Sequence, residues 1–352
     1  MDGPRVEAGR LKPLVAAVFG RCGMGEGDAA LLADSLVEAD LGGVHSHGVL
    51  RVPEYVEKLQ RGGVDPRGCP RLVRQFGSCL VVDGGNNMGQ IGAHFAMDAA
   101  LTLARTTGIA AAAIRGSNHC GAVAYFARQA LAHDMIGLAT TNALPTMAPW
   151  GGAERLLGIN PLAVAIPTEL EPPVVYDAAF SGSSHGKIRV YQQQGRSLPP
   201  DWALDRQGRP TTDPGEAIEG LLQPIGGFKG AGLALVMGVL SSLLSGAAFG
   251  TELGNMEAGP QAGQDGHFVA AIRVEAFEEV GRFKARMDQL IRQLRACRLA
   301  PGHERVYAPG EKEYLNRQAF LQEGIPLTPQ TLEALERTAG ALGLPTAYRL
   351  SQ

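Results

Sequence analysis

The chain has 352 residues, 45% of them hydrophobic and 19% charged, with 32 basic side chains against 35 acidic ones. That balance supports a sizeable buried core and excludes disordered, collagen-like and coiled-coil chains; with no long run of either sign, it offers no basic stripe for nucleic acid. Glycine, at 47 residues, is about twice its usual ~7% share, a bias toward tight turns and close backbone approaches that suits an α/β enzyme.

Residues 5–41 read as two helices, the second N-capped by Asp28 and closed by Gly42-Gly43. After His45-Ser46-His47-Gly48, Val49–Gln60 predicts an amphipathic helix whose Pro53 fits only its first turn. Leu72–Asp83 predicts strands, Gly84–Asn87 a turn and Met88–Thr106 a helix. Short β-like runs follow at Gly108–Ile114, Ile136–Asn142, Pro161–Pro167 and Val174–Ala178, with a helix at Ala122–Ala132 between the first two. Residues 191–227 are loop-rich. The uncharged stretch Ala231–Thr251 is nearly long enough to span a bilayer, but its glycines and serines read as a helix buried in a soluble core, so no membrane is expected. His267–Phe277 predicts another strand, and residues 280–345 are mostly helical and charged. The expected division is a helical part at 1–70, a strand-rich part at 71–280 and a helical part at 281–352 that packs with the first.

The first residues lack the clean apolar run of a signal peptide, and the five cysteines are scattered without a CxxC pair. A cytoplasmic protein with no disulfide framework and no cysteine zinc site is expected. No glycine cluster has the GxGxxG spacing of a dinucleotide-binding Rossmann unit. A P-loop fails as well, because Gly182-Ser183-Ser184-His185-Gly186-Lys187 has one residue too few between its glycines.

Three groups of residues could carry chemistry. His47, Arg51 and Tyr55 recur every four residues, so a helix puts them on one face; the guanidinium matches a carboxylate, and the imidazole and phenol can donate to further oxygens. The alternative for this stripe is a helix–loop anchor, and a zinc reading of His45 and His47 lacks a third ligand. His119, in Arg115-Gly116-Ser117-Asn118-His119-Cys120-Gly121 after an Ala-rich strand, is placed either to exchange protons with a substrate oxygen or to cap the next helix. Finally, Thr141-Asn142-Ala143, Tyr176-Asp177-Ala178-Ala179 and Gly226-Gly227-Phe228-Lys229-Gly230 are backbone-rich segments. The last has the form of an anion site at a helix start, or of a glycine turn that starts a tightly packed helix.

Taken in order, these stretches resemble the type 2 malate/L-lactate dehydrogenase family. The likeness rests on Ala39-Asp40-Leu41-Gly42-Gly43-Val44-His45-Ser46-His47-Gly48 with Arg51 and Tyr55, on Ser117–Gly121 and on Thr141-Asn142. It continues through Gly151-Gly152, Gly158–Pro161, Gly226–Gly230, Pro309-Gly310-Glu311 and Gly324–Leu327. The resemblance implies an α/β (α+β) fold whose cofactor domain is a mostly antiparallel, non-Rossmann sheet flanked by helical N- and C-terminal segments. It implies an NAD- or NADP-dependent oxidoreductase acting on a small anionic 2-hydroxycarboxylate or its 2-keto acid, as a homodimer with the active site between subunits. The alternative within the family is an NADPH-dependent reductase of a cyclic imine carboxylate. By position, His119 is the implied acid/base, with His47 and Arg51 also catalytic. Ser46, His47, Arg51 and Tyr55 are the implied substrate contacts, and Asn142, Ala143, Asp177, Ala178, Ala179 and Lys229 the implied cofactor contacts; no metal is implied. Two departures stand out: Phe180 replaces the family's usual threonine, which predicts a reshaped pocket, and Ala143 replaces its usual serine, which predicts one fewer hydrogen bond to the cofactor.

Overall fold

In the computed structural model, residues 3–254 and 263–345 are described. A two-residue strand, β1 (Arg5–Val6), leads into two helices, α1 (Ala8–Arg21) and α2 (Glu26–Leu41). Asp28 lies within the first turn of α2, after an N-cap at Gly25, and its carboxylate accepts from Asn87 Nδ2 at 3.0 Å. The helix α3 (Val52–Gln60) precedes β2 (Arg71–Phe76), β3 (Cys79–Asp83), α4 (Gly89–Thr107) and β4 (Ile109–Ser117). Then come α5 (Ala124–Ala127), continued by a 3-10 stretch to His133, and β5 (Met135–Thr141), β6 (Leu162–Ile166) and β7 (Val174–Ala178). The segment expected to be loop-rich holds α6 (His185–Gln193), α7 (Pro214–Glu219) and a small sheet of β8 (Ala203–Leu204), β9 (Pro210–Thr211) and β10 (Leu221–Leu222). Two-residue strands are invisible to periodicity. The chain closes with α8 (Phe228–Gly238), β11 (Asp265–Arg273), α9 (Val280–Arg295), α10 (Glu311–Glu323), β12 (Ile325–Pro326) and α11 (Pro329–Ala341).

The main sheet has seven strands in the order β2-β3-β4-β11-β5-β6-β7, and of its neighbouring pairs only β3–β4 is parallel. Its Ala-rich strands let α4 approach closely, burying Ala93, Ala96, Met97, Ala100 and Ala104 against Ala110, Ala112, Val269 and Ala271. A second core joins α1, α2 and α3 to Ile325, Leu327, Leu332 and Leu335, so the two ends of the chain share one set of buried side chains, with β1 paired to β12. Helix α9 departs from that pattern: Asp288 accepts from the backbone N–H groups of Glu169, Leu170 and Glu171, fastening it to the loop after β6.

Helix α8 also differs from expectation. It buries Gly230, Ala231, Ala234, Met237 and Gly238 but leaves Leu233, Leu235, Val236 and, in and just after the π-helical turn that follows, Val239, Leu243 and Leu244 exposed. Its small-residue side, with Met237, belongs to the core. Among the described residues no helix is long and apolar enough to cross a membrane.

Register decides where a site can form. Ser117 at the end of β4 faces Asp265 at the start of β11, Thr141 at the end of β5 faces His267, and Leu162 at the start of β6 faces both Thr140 and Ala178. Five strand ends thus gather at one edge of the sheet, and the segments singled out by sequence emerge there.

Candidate active site

The polar stripe folds as two 3-10 turns, His45–His47 and Val49–Arg51, running directly into α3, with Val49, Val52, Val56 and Leu59 buried on the inner side. The entry depends on Gly48: a Cβ there would lie 2.2 Å from the buried carboxylate of Asp40. That carboxylate accepts from Val49 N at 2.7 Å and meets His45 Nδ1 at 2.8 Å. His45 is thereby used by the fold, and among the described residues no cluster of three His, Cys, Asp or Glu is placed to hold a metal.

His119 stands in the loop after β4. The loop is fixed by fully buried Asn118, whose Nδ2 donates to the carbonyls of Asn86 and Asn87 at 3.2 and 2.9 Å. Gly121, at φ +74°, turns the chain toward α5 while its N–H donates to His119 Nδ1 at 3.3 Å. Tyr55 Oη lies 2.6 Å from the same nitrogen and accepts from Gln90 Nε2 at 3.3 Å. The rings of His47 and His119 stack at 5.9 Å with an interplanar angle of 12°. Ser46 Oγ lies 3.0 Å from His47 Nδ1, and Arg51 donates from Nε to Ser46 O at 2.9 Å and from Nη1 to Glu54 at 2.7 Å.

Helical spacing and the strand end therefore meet: His47, Arg51, Tyr55 and His119 form one constellation. Tyr55 differs from expectation, since it is fully buried and its hydroxyl is engaged by His119 and Gln90, beneath the imidazole. Burial first and the Arg51 guanidinium second hold His119 well below the usual 6.5 and lower His47 to about 4. Both rings are neutral near pH 7, so the positive charge of the constellation rests on Arg51. Gly121 N–H and the Tyr55 hydroxyl, which can donate or accept according to the ring's tautomer, converge on His119 Nδ1, while Nε2 has no protein partner among the described residues. Neighbouring Cys120 is a packing residue: burial pushes its thiol up to about 12.

Ser46 and His47 also line a cleft of about 480 Å³, within the range of cofactor sites. Its walls include the small or flat residues Ile159, Pro161, Pro173, Val175 and Pro309, suited to planar rings, together with Asp177, Ala178 and Ala179. Asp177 accepts from Ala124 N at 3.1 Å, and the surrounding protein raises its carboxyl to about 6. The residues present fit a nicotinamide dinucleotide: flat apolar walls, hydrogen-bonding backbone and flanking charge.

Other expected cofactor residues lie apart from this lining. Asn142 uses its Nδ2 on Ser242 Oγ and Ala248 O and its Oδ1 on Gly266 N, and Ala143 N donates to Asn160 Oδ1 at 2.9 Å. Lys229 is exposed at the start of α8. Phe180 does not reshape the cleft; its ring is buried in a separate core beneath α8 with Met147, Ile188, Leu222 and Ala234.

The sequence reading missed four groups. Gln90 holds Tyr55. Lys58 is only 5% exposed, one further step along the α3 stripe, and the acidic groups around it include Asp265, raised to about 6 by burial. His267 is buried between two hydroxyls. Lys58 alone had a signal, its seven-residue spacing from Arg51.

The family model for malate/L-lactate dehydrogenase matches residues 6–336. A malate dehydrogenase of Pyrococcus horikoshii is 37% identical over 348 residues, covering 97% of this chain and 96% of its own. The NAD(+) ureidoglycolate dehydrogenase of Escherichia coli O157:H7 is 34% identical, covering 92% and 93%. The solved sulfolactate dehydrogenase of Methanocaldococcus jannaschii superposes with a TM-score of 0.91 at 34% identity, covering 97% of this chain and 98% of that one. The chain belongs to the malate/L-lactate dehydrogenase family and is an NAD(P)-dependent oxidoreductase.

Proposed function

We propose that this enzyme interconverts a small 2-hydroxycarboxylate and its 2-keto acid, with His119 as acid/base and Arg51 as the carboxylate clamp. The observation that carries the reading is the free Nε2 of a neutral imidazole beside a guanidinium whose charge no other cation in the constellation shares. Arg51 keeps Nη2 for a carboxylate while Nε and Nη1 hold it in place, and Ser46 and His47 donate to or accept from the remaining substrate oxygens. In the oxidation direction the neutral ring carries its proton on Nδ1, donated to Tyr55 Oη, and the Nε2 lone pair takes the hydroxyl proton. In reduction, a carboxylate on Arg51 cancels the guanidinium's effect on the ring, raises its proton affinity and lets Nε2–H donate to the carbonyl oxygen. The Tyr55 hydroxyl can donate to or accept from Nδ1, so it steadies the ring in either state. A bound nicotinamide supplies the hydride acceptor or donor.

We assign Asp177, Ala178 and Ala179 to holding that cofactor on the mostly antiparallel sheet domain, without a Rossmann unit, and Asn142, Ala143 and Lys229 to supporting it from the ends of β5 and α8. The domain division at 1–70, 71–280 and 281–352 is retained, with α9 bridging to the sheet, and the location is cytoplasmic. The outward apolar face of α8, where Val236 is 51% and Leu243 58% exposed, is the natural contact for a second copy, which would bring the site to a subunit boundary. Val236→Glu should yield monomers by light scattering; an unchanged mass would discard that face.

A panel of pyruvate, 2-keto acids carrying a second acidic group and piperideine-2-carboxylate, each with NADH and NADPH, tests the function. Keto-acid reduction is expected. Turnover of the imine alone would replace this reading with cyclic imine reduction.

A further inference from the structure

Helix α5 begins five residues after His119, and its residues Ala124, Tyr125 and, at the start of the following 3-10 stretch, Arg128 all line the cleft. Their three- and four-residue spacing puts them on one face. Beside Arg128 is a cluster of charges from α1, α2 and α10. Glu38 accepts from Arg317 Nε and Nη2 at 2.9 and 3.3 Å and from Lys12 Nζ at 3.1 Å. Asp34 accepts from Lys12 Nζ at 2.6 Å and from Tyr125 Oη at 2.8 Å. Both carboxylates are thereby engaged by other groups, and three cations face two anions.

The excess positive charge falls on Arg128. Among the described residues no carboxylate stands in ion-pair contact with it; Glu38 attracts it from farther off and Arg317 repels it. Of the other acidic residues of the lining, Asp177 and Glu313 act on one another instead, while Glu38, also in the lining, is engaged by Arg317 and Lys12. A guanidinium on a cleft wall without a carboxylate partner offers a planar fork of donors to an incoming oxyanion, and phosphate is the oxyanion that a nicotinamide dinucleotide brings.

We propose that Arg128 receives a phosphate group of the nicotinamide cofactor and so sets the enzyme's affinity for it. The proposal rests on the dehydrogenase reading above. Two phosphates could serve, the 2′-phosphate that distinguishes NADPH from NADH and the pyrophosphate that both contain.

Arg128→Gln keeps the stem and removes the charge, while Arg128→Lys keeps the charge and removes the fork. Wild type and both variants would be titrated with NADH and NADPH by nicotinamide fluorescence at low and high salt. Thermal shifts with ADP and with adenosine 2′,5′-bisphosphate would be measured in parallel. The expected result for Arg128→Gln is a roughly tenfold weaker Kd, a shallower salt dependence and intermediate behaviour of Arg128→Lys. Loss confined to NADPH and adenosine 2′,5′-bisphosphate assigns the 2′-phosphate; equal loss for both cofactors and for ADP assigns the pyrophosphate. Wild-type Kd values in Arg128→Gln, with normal wild-type binding, would overturn the assignment alone. A wild type that binds neither cofactor would overturn the dehydrogenase reading beneath it.

Discussion

His119 and His267 stand near one another at the same edge of the sheet and both are held neutral, yet their exposure and hydrogen bonding divide them: His267 is buried and His119 half-buried. His267 is bracketed by the hydroxyls of flanking strands, with Ser117 Oγ 2.8 Å from Nε2 and Thr141 Oγ1 2.8 Å from Nδ1. Among the described residues His119 is bonded only at Nδ1, by Tyr55 and Gly121. A histidine satisfied on both sides cross-links β4, β11 and β5; one satisfied at the back and open at the front is a reagent. Net charge is alike; the difference lies in which nitrogen is left over and in the half-exposed position that leaves it open.

The largest effect should come from removing the open ring. His119→Ala is expected to lower kcat on the order of 10²–10⁴-fold, as for loss of a general acid/base, while Kd for the cofactor stays near wild type. Turnover within a few-fold of wild type would remove His119 from the chemistry.

Arg51→Gln comes next. It should lower kcat/KM about 10²-fold, chiefly through KM for the carboxylate substrate. It also has a pH signature. Arg51 is the second cause holding His119 below 6.5, after burial, so its loss raises the proton affinity of the ring. For wild type in the oxidation direction, the neutral base persists well into acid, and kcat/KM should remain flat from pH 8 to 6. In Arg51→Gln the acid limb should move to higher pH. A limb that stays in place, or moves toward acid, would separate Arg51 from His119. Tyr55→Phe acts more mildly, by removing the hydroxyl that holds Nδ1: kcat should fall about tenfold with KM little changed, because the phenol lies beneath the ring. A rise in KM without loss of kcat would instead make Tyr55 a substrate contact.

Much of this constellation is readable in advance. The four-residue spacing of His47, Arg51 and Tyr55 states that they share a face, and glycines around His119 state that its loop turns sharply at a strand end. What they meet is less readable. Ser117 and His267 are 150 residues apart in sequence, joined only by the pairing of β4 with β11, and no local pattern announces that register. Gln90 reaches Tyr55 from another helix for the same reason. Helix α8 shows a different limit: its apolar composition is plain, but with Gly, Ala and Leu on every side the sequence does not state which side turns inward. Small residues face the core there because Gly230 and Gly238 approach Ile225 and Asn160 too closely for a Cβ.

His267 gives the smallest effect on activity and the sharpest contrast. With both nitrogens engaged by hydroxyls of the sheet, His267→Gln should leave kcat within about threefold of wild type. Its consequence is for stability. Burial lowers the folded ring to about 4, whereas an unfolded histidine titrates near 6.5. Between those values the unfolded chain binds a proton that the native one refuses, so native stability declines as pH falls from 6.5 to 4. The slope for one such ring is about 1.4 kcal/mol per pH unit, or about 3 kcal/mol over the window. His267→Gln should be less stable than wild type at pH 7, where the two hydroxyl bonds are lost or weakened, yet lose less on acidification. Plotted against pH, the two unfolding free energies should converge toward pH 4. Parallel curves would mean that His267 takes up its proton as readily in the native protein as in the unfolded chain, so that the sheet does not hold it neutral below pH 6.5, as the contrast with His119 requires.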